Sequence, residues 1–232
     1  MNNRWKMMLV YLLTGIVLLI CVNLYSTTVT VFREQEDNER ICIVIDPGHG
    51  GEDGGAVSCT GVPESVYNLN ISLRLNDLLN LLGYQTIMIR DTDISVYTKG
   101  ETLAQKKASD LQERVKIAKQ TEGAVFVSIH QNYFADRQYS GAQVFHASTE
   151  GSEELAKVLQ REFVYKLNPG SRRQAQKSSG IYVMDRIQCT GILVECGFLS
   201  NPQEEGKLRD PNYQKKLSAV IASTLSRVLS NT

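Results

Sequence analysis

The chain contains three histidines, and two of them directly follow short apolar runs, in Asp46-Pro-Gly-His49-Gly-Gly and in Ser128-Ile-His130-Gln-Asn132. A lone histidine in such a place is commonly a hydrogen-bonded strand cap. Two of them, accompanied by glycines that let backbone approach a ligand closely, point to a metal. Catalytic zinc typically takes three protein ligands, often two histidines and a carboxylate, and keeps a fourth position for water. The carboxylate has to come from a third segment. Glu64 is a candidate because it starts a helix beyond the glycine-rich stretch, although an acidic residue in a first turn also suits the helix dipole. Asp46 and Asp53 compete for the same role, and Asp46 could instead orient a ligand histidine from behind.

Metal-assisted hydrolysis also needs a base that takes a proton from water and returns it to the leaving group. Glu195 closes Ile192-Leu-Val-Glu195, a run so apolar that a carboxylate there is costly without a partner or a purpose. Desolvation would raise its pKa into the range useful for proton transfer; the competing reading is a salt-bridged strand end. Arg90, Arg114, Asn132 and Asn201 are candidates for substrate binding, with surface or turn roles as the alternative. His146, after Phe145, reads as structural or substrate-facing. No Gly-x-Ser-x-Gly elbow and no phosphate loop followed by lysine occurs, so serine nucleophiles and nucleotide chemistry have no support.

These residues need a scaffold that brings them together. Residues 41–45, 86–89, 124–129, 142–145 and 192–194 are short apolar runs rich in β-branched side chains and read as buried strands. Amphipathic stretches lie between them. The spacing of Ile71, Leu75, Leu78 and Leu82 predicts a helix over 64–82, with Pro63 at its first position and Gly83 as its stop. Further helices are expected at about 109–119, at 152–167, and after Asp210-Pro211. Alternating strands and helices define an α/β fold: one mostly parallel twisted sheet flanked by helices, with function gathered beyond the carboxyl ends of the strands. On this reading His49 follows the first strand, His130 ends the third and Glu195 ends the last.

Length and composition bound the rest. The 232 residues, 42% of them hydrophobic, suffice for one sizeable core but hardly two. The formal net charge is zero, which gives no reason to expect nucleic acid as a partner. Arg4 and Lys6 precede an apolar run over 7–24, an export signal or membrane anchor whose ending favours an uncleaved anchor over a cleaved signal. Ile20 before Cys21 argues against a lipoprotein site. The charged stretch 33–40 reads as linker. The expected organisation is a signal or anchor at 1–25, a linker at 26–40 and a catalytic domain at 41–232, working outside the cytoplasm and tied to the membrane by its N-terminal segment. Cys42 and Cys196 lie in apolar runs and read as buried thiols.

Four separated segments together resemble the zinc-dependent N-acetylmuramoyl-L-alanine amidases of the amidase 3 family. The opening motif is Ile43-Val-Ile-Asp46-Pro-Gly-His49-Gly-Gly-Glu-Asp53-Gly-Gly-Ala56, and Val127-Ser-Ile-His130-Gln-Asn132 is similar to the second histidine motif. Val194-Glu195-Cys-Gly197-Phe198-Leu-Ser-Asn201 resembles the segment bearing a catalytic glutamate. Glu64, with Asn68-Leu-Asn-Ile beyond it, falls where the family carries its carboxylate ligand. The resemblance implies Zn2+ held by His49, Glu64 and His130, Glu195 as base, and peptidoglycan as substrate. Gln105-Lys-Lys-Ala-Ser-Asp110 and Ser140-Gly-Ala-Gln143 resemble the spore-cortex, germination-specific branch. Gln131 and Cys196 depart from the smaller or aliphatic residues common at those places. No self-blocking insert or repeated wall-binding unit is apparent, so an exported activator or targeting protein is expected to supply control.

Overall fold

The computed structural model describes residues 4, 7, 8, 11–24 and 41–230. Contacts divide the chain into two units, Met1–Arg40 and Ile41–Thr232. In the first, residues 11–24 form a helix, α1, whose apolar side chains, Leu12, Val17, Leu18 and Leu19 among them, are exposed. Among the described residues no helix is both long and apolar enough to cross a membrane. The linker expected at 26–40 lies outside the described residues.

In the second unit the elements run β1 (Cys42–Pro47), α2 (Glu64–Leu81), β2 (Gln85–Met88), α3 (Leu103–Gln120), β3 (Val125–Asn132) and β4 (Gln143–His146). They continue with α4 (Ser152–Lys166), β5 (Gln176–Lys177), β6 (Thr190–Phe198), α5 (Pro202–Arg209) and α6 (Pro211–Leu229). The six strands make one sheet in the order β2-β1-β3-β6-β4-β5. Neighbours β2, β1, β3 and β6 are parallel, whereas β4 runs antiparallel to β6. The mostly parallel α/β sheet expected from the sequence is therefore present.

Its two faces are buried by different sets of side chains, as a mostly parallel sheet requires. Ile43, Ile45, Val127, Ile129, Ile192 and Val194 pack under α2, α4 and α6 through Ile71, Leu75, Leu79, Leu159, Phe163, Leu217 and Ile221. The alternate residues Val44, Phe126 and Leu193 face α3 through Val115 and Ala118, and the segment of Val183, Met184 and Ile187. Each fully buried side chain of this kind contributes about 1.5–3 kcal/mol.

Several boundaries differ from expectation for identifiable reasons. Pro63 is the cap rather than the first residue of α2, with Glu64 leading the helix, and Leu82 is the half-exposed C-cap instead of part of the buried stripe. Tyr67 and Leu79 take its place inside. Helix α3 begins at Leu103, six residues before the expected start, because Thr102 and Gln105 form a reciprocal capping box. Strand β6 continues past Glu195 to Phe198 and β3 past His130 to Asn132, so neither residue ends its strand. His130 and Glu195 are instead direct neighbours in the β3–β6 register.

Candidate metal centre

The backbone leaves the sheet after β1 through a last ladder-like bond from Gly48 N to Ile129 O, 3.0 Å. His49 then adopts a left-handed φ of 60°, the only non-glycine residue with positive φ among those described. Gly48 cannot be larger, since a Cβ there would lie 2.2 Å from His130 Nε2. Gly55, at φ +70°, is similarly confined, with a Cβ meeting His49 Cδ2 at 2.6 Å and Glu64 Oε2 at 2.7 Å. These two glycines let the imidazoles and the carboxylate share one small volume.

Glu64, at the start of α2 and only 4% exposed, stands between the two rings. Its Oε1 lies 2.9 Å from His130 Nδ1 and its Oε2 lies 3.3 Å from His49 Nε2. The rings meet edge to face with centroids 5.0 Å apart. One donor atom from each of His49, Glu64 and His130 falls within a 4.8 Å cluster, an arrangement that could hold a metal ion. Of the three carboxylates left open by the sequence, Glu64 is the one in this cluster. Asp53 sits behind His49, its Oδ2 3.0 Å from Nδ1, and also pairs with Lys107 at 3.0 Å. Asp46 is occupied by Ser128 Oγ, 2.8 Å, and by the guanidinium of Arg114.

The charges follow from these contacts. Burial opposes ionisation of Glu64, but its hydrogen bonds with His130 and His49 override it and hold the carboxyl far below the usual range. Backbone N–H groups of Ala56 and Gln131 and the Asn68 amide also donate to it. In His49, burial disfavours the imidazolium, yet Asp53 and Glu64 prevail and raise its pKa to about 9. Asp53 is drawn far below the carboxylate range, chiefly by its bond with His49.

Glu195 is of the opposite kind. Although its side chain keeps some exposure overall, Oε2 is enclosed and meets no hydrogen-bond partner. Desolvation, opposed by His130 and reinforced by Glu64, pushes its carboxyl up to about 7. It lies across the strand pair from His130, a member of the His49–Glu64–His130 cluster.

For Arg90, Arg114 and Asn201 the structure gives other roles than substrate contact. Arg90 is 2% exposed and spends its donors on the carbonyl groups of Pro47, Gly48, Ser65 and Thr92, so it holds backbone and is not free for substrate. Asn201 caps α5, accepting from Gln203 N and Glu204 N and donating to Tyr139 O. Arg114 is likewise buried. Asn132 remains half-buried at the end of β3, two residues beyond His130. His146 is buried, its Nδ1 2.9 Å from Ala147 O, and is structural. Cys196 is buried, Cys42 partly so, and the described cysteines are all free thiols. The supporting roles of Asn68 and Gln131 were missed; a polar residue at Asn68, one helical turn beyond Glu64, was the available signal.

A mostly parallel α/β domain carries a His–Glu–His cluster that could hold a metal ion, beside a carboxyl that holds its proton, the layout of a hydrolase. The family of N-acetylmuramoyl-L-alanine amidases, amidase 3, matches residues 43–227, and the chain belongs to it. Its reaction is the hydrolysis of the amide joining N-acetylmuramic acid to L-alanine in peptidoglycan. A germination-specific N-acetylmuramoyl-L-alanine amidase of Bacillus subtilis is 37% identical over 187 residues, covering 80% of this chain and 78% of the relative. The solved CwlD amidase of Clostridioides difficile, in complex with the GerS lipoprotein, is 34% identical with a TM-score of 0.79, covering 83% of this chain and all of that one. The AmiC2 amidase of Nostoc punctiforme is 28% identical with a TM-score of 0.69, covering 82% of this chain and 98% of that one.

Proposed function

We propose that the chain is a zinc amidase of the spore cortex in which His49, Glu64 and His130 hold Zn2+ and Glu195 moves the proton. The observation that carries this reading is the contrast inside one cluster: a fully ionised Glu64 between two imidazoles, beside a Glu195 with an enclosed, unpartnered oxygen. Two nitrogen donors and one carboxylate match the ligand count of catalytic zinc sites. Zinc bound there supplies Lewis acidity toward a carbonyl oxygen and a water molecule. Glu195, with a pKa near 7, takes the proton of the attacking water and returns it to the departing nitrogen of L-alanine. Asp53 fixes the ring of His49 by accepting from Nδ1, which leaves Nε2 for the metal. Asn132, beside His130, orients the substrate.

The similarity to a germination-specific relative supports the cortex role. The organisation proposed is a signal or anchor at 1–25, a linker at 26–40 and a catalytic domain at 41–232. Substrate in the wall requires an extracytoplasmic enzyme, and the exposed apolar side chains of α1 suit attachment to a membrane. A relative solved with a lipoprotein supports an exported partner for this chain too.

Digestion of purified peptidoglycan by the zinc-loaded chain, with products identified by mass, tests the reading. The expected result is release of peptides beginning with L-alanine, lost in Glu195→Ala while zinc remains bound. Cleavage inside the stem peptide would instead define a zinc peptidase, and tight wall binding without any product would define a binder.

A further inference from the structure

Beyond the cluster itself, two buried guanidinium groups converge on the short backbone segment that presents His49. Arg114, on α3 and 2% exposed, donates from Nη1 to Pro47 O at 3.0 Å and from Nη2 to His49 O at 2.8 Å. Arg90, just beyond β2 and equally buried, donates from Nε to Pro47 O at 2.9 Å and from Nη2 to Gly48 O at 3.1 Å. Three consecutive carbonyl groups are therefore held from two directions. This is the place where a non-glycine residue sits in the left-handed region, a conformation that persists only when its surroundings over-determine it.

The charges on this device balance. Arg114 is paired with Asp46 and, through Nε at 2.6 Å, with Asp110; with Arg90 these make two buried cations and two carboxylates. Both carboxylates are themselves tied down. Asp46 accepts from Ser128 Oγ, and Asp110 Oδ1 accepts from Val96 N at 2.7 Å. The segment around Val96 closes the arrangement from outside: Ser95 Oγ donates to Gly50 O at 2.6 Å, and Gly51 N donates to Asp93 Oδ1 at 3.1 Å.

We infer that Arg114 and Arg90 are positioning residues that set the metal affinity of this chain by fixing the backbone of Pro47, Gly48 and His49. This rests on the metal-centre reading above. Their hydrogen bonds reach neither imidazole nor the Glu64 carboxylate, so their effect passes through the direction of the His49 ring. A planar guanidinium can reach two carbonyl groups and two carboxylates at once, and an ammonium cannot. Arg114→Lys keeps the buried charge while removing that fork, so it separates positioning from charge balance.

The test uses the full chain, with Zn2+ and Co2+ as the metal probes and purified peptidoglycan as the substrate. Zn2+ affinity is measured by chelator competition, the ligand field is read from the visible spectrum of the Co2+ form, and amidase kinetics are followed at limiting and saturating Zn2+. Arg114→Lys is expected to keep native circular dichroism, bind Zn2+ about 10–100-fold more weakly, show an altered Co2+ spectrum, and recover most of its kcat at saturating metal with KM unchanged. A folded variant with wild-type affinity and spectrum would overturn the inference, whatever its activity. If Arg114→Lys does not fold, Arg90→Lys decides by the same readouts, since its direct partners are carbonyl groups alone. Failure of both to fold would also overturn it, assigning the pair to the domain rather than the loop. A wild-type chain that binds neither metal would refute the metal-centre reading instead.

Discussion

Glu64 and Glu195 are both enclosed carboxyl groups within reach of the same histidines, yet their surroundings drive them to opposite states. Around Glu64 the chain assembles two imidazoles, two backbone N–H groups and the Asn68 amide, and the group stays charged. Glu195, set between His130 and Gln143 in the strand register, is desolvated and has an Oε2 that meets no donor, so the carboxyl holds its proton up to about pH 7. The residue type is the same; the local supply of donors keeps one charged and lets the other hold a proton, the states that the proposed ligand and acid–base roles require.

The strongest challenge to this contrast is Glu64→Gln. An amide cannot supply the anion between the two histidines, so tight zinc binding and turnover are both expected to disappear, and the metal-free chain should lose about 3 kcal/mol from a broken buried network. Metal content and urea unfolding check this; zinc retained at wild-type affinity would refute the assignment of Glu64.

Glu195 should give the opposite pH behaviour. Its folded pKa is about 7 against an ordinary 4.5, so the native state holds the proton more tightly than the unfolded chain does. Its contribution to stability is therefore full below about 4.5 and is lost as pH rises through 7, up to roughly 3 kcal/mol. In metal-free protein, unfolding followed from pH 4 to 8 should show this decline in wild type and a flatter profile in Glu195→Gln. Identical profiles would show that Glu195 does not titrate abnormally.

Two smaller effects sharpen the boundary between site and scaffold. Gly48→Ala places a methyl group against the His130 ring and is expected to cost about 1–3 kcal/mol while weakening metal binding. Thermal unfolding with and without zinc separates the two losses. Asn201→Ala removes a helix cap, worth about 1 kcal/mol, and should leave KM unchanged. A raised KM without lost stability would restore Asn201 as a substrate contact.

His49, His130 and Glu195 were legible because polar residues next to β-branched apolar runs break a simple pattern. The choice among Glu64, Asp46 and Asp53 was not, because spacing along a chain does not report depth within a sheet. Asp46 pairs in register with Ser128, one side-chain step below His130, which puts it under Arg114 and out of the cluster. The roles of Arg90 and Asn201 were hidden for a related reason: a buried arginine on carbonyl groups and a capping asparagine carry no pattern that distinguishes them from substrate contacts. In the fold, α5 escaped notice because Leu208 is its only large apolar residue, and β5 because it is two exposed residues long. β5 is fixed by pairing with β4, distant in sequence, whereas α5 has local signals in its Asn201 cap and leading Pro202 but no apolar stripe to announce it.

The pairing of β1 with β3 also sets when the site can come into existence. His49 and Glu64 face His130 only after strands more than sixty residues apart have aligned, so an unfolded chain has no preformed chelating set. A chain threaded unfolded across a membrane would arrive without its metal and have to acquire it on the far side, from whatever the wall and its surroundings provide. The onset of activity would then be governed by local zinc supply as well as by synthesis.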